Sequence, residues 1–246
     1  MQRTRKKSKG TALITGGAKR IGRAIALALA KEGYGIALHY HSSRSEAQAL
    51  AAEIHRENGT CRLYSADLTN EAATLRLIKA VKRECADLNV LINSASIYQK
   101  SKLRTATLKQ FNDDLNIHVK APFILTQGFA HSVKKGVIIN MLDTKIIGNE
   151  TEFATYLLAK KCLASLTSMS ALEFAPGIRV NAVAPGPILP PPGKGMAILK
   201  RRAKMMPLKM HGNPETIADA IVFLVNNSFI TGETIFVDGG EHLIRS

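Results

Sequence analysis

Tryptophan is absent from this 246-residue chain, aromatic residues make up only 5% of it, and there are three cysteines. Cys61, Cys85 and Cys162 lie far apart, with no CxxC pair and no histidine at metal-ligand spacing, so the sequence predicts neither a disulfide framework nor a metal site. This cysteine usage favours a reducing, cytoplasmic compartment.

Long apolar runs are also missing. The longest in a helical pattern, 24–30, falls far short of the roughly 20 residues that cross a bilayer. The basic start of the chain leads into a short strand pattern instead of the apolar segment of a signal peptide. We therefore expect no membrane partner and no targeting segment.

Acidic residues are few, 19 against 34 basic ones, which gives a net charge of +15. Eleven of the basic residues lie in two stretches without any acid, 1–10 and 194–209, and the rest of the chain carries only +4. Few aromatic residues lie between them, so specific nucleic-acid binding is not expected. We interpret residues 1–10 as a flexible solvated tail, with contact to RNA, membrane phosphate or an acidic partner as the alternative.

Short β-type runs alternate with longer helical patterns along the whole chain. The apolar content of 46% and charged content of 22% are ordinary for a globular protein, and the length fits one α/β domain. This alternation predicts a Rossmann-type, doubly wound, seven-stranded parallel sheet with helices on both faces, as a single domain over 11–246. The stretch 185–213, rich in Pro, Gly and Met, shows no regular pattern, and we expect a functional loop there. The predicted strands are 11–15, 35–39, 60–65, 89–93, 136–140, 178–184 and 234–237, and the predicted helices are 20–32, 44–57, 70–85, 107–130, 154–174 and 214–225.

A glycine turn follows the first predicted strand and opens a helix. A helix N-terminus presents free backbone N–H groups and a positive dipole end, and small residues let a pyrophosphate approach closely. In the first βα turn of a repeating β/α chain, this pattern predicts a dinucleotide site. The turn reads Thr15-Gly16-Gly17-Ala18-Lys19-Arg20-Ile21-Gly22.

The end of the second predicted strand indicates which dinucleotide binds. An acid there would bind the 2′-hydroxyl of NAD and repel the 2′-phosphate of NADP, and the segment His39-Tyr40-His41-Ser42-Ser43-Arg44 has none. Arg20 is able to reach the same place, and charge-assisted pairing favours a dianion, so we predict NADP, bound as NADPH. Asp67 and Leu68 suit the adenine edge, although Asp67 alone would equally fit a helix cap.

Tyr156 and Lys160 stand four residues apart on a predicted helix and therefore share one face. A lysine cation beside a phenol favours the phenolate and lowers its pKa, so the pair predicts a tyrosine that works as an acid near neutral pH.

These motifs, in this order, resemble the short-chain dehydrogenase/reductase family over essentially all of residues 9–241. The resemblance implies that Tyr156 donates the proton, that Lys160 holds the nicotinamide ribose and lowers the tyrosine pKa, and that Asn116 supports a proton-relay water. It also implies a tetramer formed through 107–130, 154–174 and the C-terminal strand. Further matching motifs are Asn93-Ser94-Ala95-Ser96, Arg179-Val180-Asn181, Pro185-Gly186 and Asp238-Gly239-Gly240. The cofactor contacts we expect are Gly16, Lys19, Arg20, Ile21, His41, Ser42, Ser43, Asp67, Leu68, Asn93, Ser94, Ala95, Ser96, Tyr156, Lys160, Pro185, Gly186 and Ile188.

Three positions depart from the common family pattern. Arg20 replaces the middle glycine of the turn, Ser96 ends the usual NNAG motif, and Asp143 replaces the serine 13 residues before the tyrosine. A serine there donates to a substrate carbonyl, whereas a carboxylate would repel a developing alkoxide. A carboxyl group suits a ring C=N whose nitrogen must be protonated as hydride arrives.

The departures are similar to pteridine reductases and dihydromonapterin reductases, as is the His39-Tyr40-His41 segment with Ser43. That resemblance implies a pterin stacked on Tyr98, which a flat heteroaromatic ring makes physically reasonable. The expected substrate contacts are Arg20, Ser96, Tyr98, Asp143 and Tyr156.

We therefore predict an NADPH-dependent reductase of a pteridine C=N, with a dihydropterin- or dihydrofolate-type small molecule as substrate. One alternative is a 3-oxoacyl-carrier-protein reductase-like ketone reductase, whose basic 194–209 segment would dock an acidic carrier protein. Asp143 argues against it. A second alternative is a catalytically silent NADP-binding sensor, against which the retention of Asn116, Tyr156 and Lys160 argues.

Overall fold

The structure is a computed structural model that describes residues 8–190, 193 and 195–244. Seven parallel strands form one sheet in the order β3-β2-β1-β4-β5-β6-β7. This confirms the predicted Rossmann-type architecture. The strands are β1 (Thr11–Ile14), β2 (Gly35–Tyr40), β3 (Cys61–Ser65), β4 (Leu88–Asn93), β5 (Gly136–Met141), β6 (Ile178–Pro185) and β7 (Thr234–Val237).

Helices connect successive strands and cover both faces of the sheet. They are α1 (Arg20–Lys31), α2 (Arg44–Arg56), α3 (Glu71–Glu84), α4 (Leu108–Leu115), α5 (Ala121–Ala130), α6 (Ala154–Phe174), α7 (Met196–Ala203) and α8 (Pro214–Asn226). A π-helical turn, Asn116–Lys120, joins α4 to α5, and short 3-10 helices span Thr144–Ile146 and Glu241–Ile244.

Side chains of each strand alternate between two apolar layers, as a sheet buried on both faces requires. On β1, Ala12 and Ile14 pack in the layer that contains α1, α2 and α8, whereas Leu13 packs in the opposite layer with α3 and α5. All four residues of β1 are buried, and this packing holds the carboxyl end of the strand in place.

Two sequence interpretations need correction. The stretch 185–213 contains a helix, α7, which its Pro and Gly content masked. Residues 8–10 belong to the fold and not to a tail, because the carbonyls of Lys9 and Gly10 accept hydrogen bonds from Asn89 and Gly35. Residues 1–7 of the predicted tail, and Pro191, Pro192 and Lys194 of the predicted loop, lie outside the described residues.

The strand order reverses beside β1, which pairs with both β2 and β4. In open α/β sheets, ligands bind at this point, outside the carboxyl ends of the strands. Within the described part of the chain, no helix combines the length and apolarity that a membrane crossing needs.

Candidate active site

The glycine turn after β1 is sterically tight. Gly16 has φ +64°, and a Cβ there would lie 2.9 Å from the Cα of Ala95; a Cβ on Gly22 would lie 2.2 Å from the carbonyl oxygen of Gly16. The hydroxyl of Thr15 accepts hydrogen bonds from the backbone N–H groups of Ser94 and Ala95, at 2.9 and 3.0 Å. The turn and the end of β4 are therefore held against one another.

Helix α1 begins above this turn with free hydrogen-bond donors. Lys19 precedes the helix without a side-chain cap, and no acidic residue stands in the first turn. Uncapped N–H groups at a helix N-terminus, next to glycines too crowded to carry a side chain, form a cradle for a phosphate. The residues around Gly16 and Ile21 thus fit the pyrophosphate of a dinucleotide.

A buried histidine supports the glycine turn, which sequence reasoning did not anticipate. Nδ1 of His39 accepts a hydrogen bond of 3.1 Å from the backbone N–H of Gly16, and Nε2 lies 3.0 Å from the carbonyl oxygen of Ala66. Because a carbonyl only accepts, Nε2 carries the proton and the ring is neutral. Burial lowers the pKa of His39 to about 4, which keeps it neutral.

The contacts of Arg20 differ from the sequence interpretation. Its guanidinium donates a 2.9 Å hydrogen bond to the carbonyl of Pro190, in the segment after β6. Lys19 instead reaches helix α2, where its ammonium lies 2.5 Å from Glu46. Lys19 therefore lies beside the start of α2, close to the segment expected to meet the 2′-phosphate, whereas Arg20 contacts Pro190. Residue 20 has φ +55°, so the chain departs from ordinary helical geometry at this position and the side chain leaves the turn in a different direction from Lys19.

The predicted adenosine-side residues lie at the ends of β2 and β3. His41 and Ser42 are exposed, and Ser43 precedes helix α2 without forming a side-chain cap, so its hydroxyl remains available. Asp67 accepts from the backbone and hydroxyl of Thr69, at 2.9 and 2.7 Å, and Leu68 is buried. Asp67 does not cap α3, because Asn70 takes that role.

Asn93 and Asn140 form a buried amide ladder across the ends of β4 and β5. Asn93 donates to Asn140 over 2.8 Å, and Asn140 donates to Thr167 over 2.8 Å. The side-chain Oδ1 of Asn93 is buried and has no hydrogen-bond partner among the described residues. Ser96, three residues on, is exposed.

The reactive pair is formed by Tyr156 on α6 and Asp143 after β5. The phenol donates a 2.9 Å hydrogen bond to Oδ2 of Asp143, while Oδ1 accepts from the backbone N–H of Lys145 at 2.9 Å. Burial raises the pKa of Asp143, and burial together with the Asp143 carboxyl raises the pKa of Tyr156 well above its usual value.

The expected lowering of the tyrosine pKa by Lys160 is therefore wrong in this structure. The lysine stands 5.7 Å from the centroid of the Tyr156 ring, but desolvation and the neighbouring carboxyl outweigh its influence on the phenol. Its ammonium donates a 2.6 Å hydrogen bond to the carbonyl of Met141, and burial lowers the pKa of Lys160 to about 8.

His118 faces the reactive tyrosine, which sequence reasoning did not anticipate. The His118 ring is buried and lies edge to face with Tyr156, with centroids 5.2 Å apart. Asn116, two residues earlier, is partly buried, and its side chain hydrogen-bonds to no described residue. Both lie in the π-helical turn, a distortion that often marks functional sites.

Tyr98 borders the site beside an aromatic pair and a cation. Its ring stacks on Phe153 at 4.3 Å and meets Tyr156 edge to face at 5.0 Å. Buried Lys145 donates to the Tyr98 hydroxyl at 2.8 Å and lies 2.7 Å from Glu150. Sequence reasoning missed Phe153 and Lys145, because neither belongs to a motif. One face of Tyr98 is thus covered by Phe153, and 40% of the residue is exposed.

The end of β6 closes the other side. The N–H of Gly186 donates to Val237, and a Cβ on Gly186 would lie 2.6 Å from Asp238. Pro185 ends the strand, and Ile188 packs into the core beside it. The carboxylate of Asp238 accepts from Thr144 at 2.6 Å, which ties β7 to the residue after Asp143.

Comparison with known proteins agrees with this geometry. The family described as enoyl-(acyl carrier protein) reductase matches residues 16–242. The chain is 32% identical to the 3-oxoacyl-[acyl-carrier-protein] reductase FabG of Staphylococcus epidermidis, over 95% of this chain and 99% of that protein. It is also 32% identical to the 3-oxoacyl-[acyl-carrier-protein] reductase of Synechocystis, over 93% and 95% of the two chains.

Among solved structures, the chain is similar to FolM alternative dihydrofolate reductase 1 from Brucella suis in complex with NADP. The TM-score is 0.91 at 31% identity, over 96% of each chain. A blue fluorescent protein from a metagenomic library in complex with NADPH gives a TM-score of 0.88 at 30% identity, over 95% of this chain and 98% of that one. The sheet order, the glycine turn and these matches over nearly the whole chain show that the protein belongs to the short-chain dehydrogenase/reductase family.

Proposed function

We propose that this protein is an NADPH-dependent reductase that acts on a C=N bond of a dihydropterin- or dihydrofolate-type substrate. The observation that carries the proposal is the 2.9 Å hydrogen bond from Tyr156 to Asp143, a carboxyl group in a position where ketone-reducing relatives of this fold are expected to have serine. The similarity to FolM alternative dihydrofolate reductase 1 in complex with NADP supports the cofactor and the substrate class.

Reduction of a C=N bond needs a hydride at carbon and a proton at nitrogen. NADPH, when bound, supplies the hydride. As the nitrogen gains the electron pair of the double bond, Tyr156 donates its phenolic proton to it. The protonated form of Asp143 then passes its proton to the phenolate, and solvent supplies a new proton to the Asp143 carboxylate. Burial raises the pKa of both groups, so the pair retains the proton until the nitrogen becomes basic.

Lys160 acts on the cofactor side of this pair. Its ammonium is fixed by the carbonyl of Met141, at the end of β5, and lies beside the Tyr156 ring. From there it can hold a ribose hydroxyl, and its positive charge lowers the pKa of Asp143, against the effect of burial. Exposed Ser96 and the half-exposed ring of Tyr98 border the place for the substrate ring.

A second candidate is reduction of a 3-oxoacyl group carried on an acidic protein. The FabG-type relatives, at 32% identity over 95% of the chain, favour it. Helix α7 adds exposed cations, Lys200 and Arg201, of the kind that an acidic carrier protein would meet. Against it stands Asp143, which takes the position where the family pattern has a serine hydroxyl that donates to a substrate carbonyl.

The discriminating experiment follows NADPH oxidation by the purified protein with 7,8-dihydrobiopterin, dihydromonapterin and dihydrofolate in parallel with acetoacetyl-CoA. We expect turnover with a dihydropterin or dihydrofolate. Turnover of acetoacetyl-CoA alone would show that the site tolerates an alkoxide and would favour the second candidate. NADPH binding without any turnover would favour a sensor.

We also propose a homotetramer. Apolar side chains project from the outer faces of α4, α5 and α6: Leu108 is 80% exposed, Leu172 is 84% exposed, and Phe123 and Met169 are exposed as well. Exposed apolar residues gathered on neighbouring helices are typical of a surface that another subunit covers.

A further inference from the structure

A buried histidine links an exposed serine to the reactive tyrosine. Nδ1 of His118 lies 3.1 Å from the carbonyl oxygen of Asp114, and Nε2 lies 2.9 Å from the hydroxyl of Ser96. The ring packs edge to face against Tyr156. Both nitrogens of the imidazole are thus engaged on the inner side of the site.

The carbonyl of Asp114 determines which nitrogen carries the proton. A carbonyl oxygen only accepts, so Nδ1 is the donor, and in a neutral imidazole Nε2 is then an acceptor. The Ser96 hydroxyl therefore donates its single proton to Nε2. The carbonyl of Ile97 competes for that proton, but over 3.2 Å instead of 2.9 Å.

The charges around the ring keep it neutral. Burial and the cation of Lys160 lower the pKa of His118 well below its usual value. The Asp114 carboxyl does not reverse this, because Oδ1 stands 3.6 Å from Nδ1 and Oδ2 accepts a 2.6 Å hydrogen bond from Thr155. Burial also raises the pKa of Asp114, so the pair avoids a buried ion pair.

We propose that His118 is a positioning residue that fixes Ser96 as a hydrogen-bond acceptor toward the substrate, and that the site thereby selects substrates with an N–H or amino group at this point. This inference rests on the proposed function, because it names the substrate group that the site reads. A pterin ring carries such donors. The reacting end of a 3-oxoacyl thioester offers only carbonyl oxygens, and it would leave the serine oxygen without a partner.

The first test determines the tautomer of His118 and does not depend on catalytic turnover. In a long-range ¹H–¹⁵N correlation spectrum of the histidine-labelled protein at neutral pH, we expect His118 to show a protonated Nδ1 and an unprotonated Nε2. The signal is assigned by its loss in His118→Gln. A protonated Nε2, or an imidazolium, would overturn the inference.

The second test measures dihydropterin kinetics for Ser96→Ala, His118→Phe and the double variant. Each single change is expected to raise KM about tenfold, the worth of one hydrogen bond, with a smaller effect on kcat. The double variant should be no worse than either single one, because His118 acts through Ser96. His118→Gln, whose amide oxygen can accept from the serine, should recover much of the KM.

If the effects of the two single changes on KM multiply in the double variant, or if only kcat falls, then His118 does not act through Ser96. If His118→Phe does not fold, Ser96→Ala and His118→Gln carry the comparison. If the wild-type protein reduces no pterin, the proposed function fails, while the spectrum still decides the orientation of Ser96.

Discussion

Tyr156 donates a hydrogen bond of 2.9 Å to Asp143, which stands 13 residues earlier in the chain. The tyrosine lies on helix α6 and the aspartate follows strand β5. The hydrogen bond therefore joins the helix to the sheet where the substrate is expected to bind. Because both groups are acids with a raised pKa, the pair differs in kind from a tyrosine beside a serine hydroxyl. We propose that this pair supplies the proton for the reduction.

Replacing the carboxyl group of Asp143 tests its role in proton supply. Asp143→Ser is expected to lower dihydropterin turnover about 100-fold, the size of a general-acid contribution, while the Kd for NADPH stays near the wild-type value. Steady-state kinetics and cofactor titration measure the two effects. Asp113→Asn, which removes a surface ion pair with Lys109, is the matched control. Unchanged turnover in Asp143→Ser would remove Asp143 from the mechanism.

Two neighbouring cations should affect cofactor choice differently. Lys19→Ala is expected to weaken NADPH roughly tenfold more than NADH, because it removes a cation beside the start of α2, next to the segment expected to meet the 2′-phosphate. Arg20→Ala should weaken both cofactors alike, since Arg20 holds the carbonyl of Pro190. Titration of each variant with both cofactors measures the ratio of the Kd for NADPH to the Kd for NADH. Arg23→Ala, on the same helix and paired with Glu53, is the control.

A larger loss of preference for NADPH over NADH in Arg20→Ala than in Lys19→Ala would contradict these roles of the two cations. It would restore Arg20 as the 2′-phosphate ligand that the sequence suggested.

The neutral histidine beneath the glycine turn makes stability depend on pH. The folded-state pKa of His39 is about 4, below the unfolded value of 6.5, so the unfolded chain takes up a proton that the folded chain does not. The contribution of His39 to the free energy of unfolding is therefore complete above pH 6.5 and is lost as the pH falls toward 4. Between about pH 7.5 and about pH 5, this group alone lowers the free energy of unfolding by about 2 kcal/mol.

Urea unfolding of the wild-type protein and of His39→Gln at both pH values measures this contribution. The variant should lose less stability on acidification than the wild-type protein, because its amide does not titrate. His131→Gln, at an exposed position, should behave like the wild-type protein. An equal pH dependence in all three proteins would show that His39 titrates normally.

The apolar outer faces of the long helices should govern assembly. Leu172→Lys on α6 is expected to reduce the tetramer to smaller species in light scattering, because a buried charge opposes subunit contact. Phe229→Lys is the control, since Phe229 is 99% exposed but lies outside α4, α5 and α6. A monomeric wild-type protein, or a tetramer unaffected by Leu172→Lys, would contradict the proposed interface.

The sheet was predictable because its strands are short, mostly apolar runs and the longer segments between them show a helical pattern, two local signals that reinforce one another. The pairing of Tyr156 with Lys160 was equally local, since both lie on one helix. Prediction failed where the outcome depends on residues from distant elements. The phenol pKa is decided by burial and by Asp143, and Lys160 alone suggested the opposite direction.

The contact of His118 with Tyr156 could not be predicted for a similar physical reason. The side chain that faces the tyrosine depends on the rotation of the helix, and the π-helical turn alters that rotation locally. No periodicity in the sequence reports such a turn. His118, Phe153 and Lys145 became visible only once the helices were packed together.

The hydrogen bond from Thr144 to Asp238 spans 94 positions of the chain. Ribosomes release a protein from its N-terminus, so the glycine turn and its strands emerge long before Asp238 does. A nascent chain can therefore assemble the first half of the sheet while the segment beside Asp143 still lacks its anchor. The order of synthesis separates the two halves of the site in time, and the reactive half gains this hydrogen bond only after Asp238 has been synthesised.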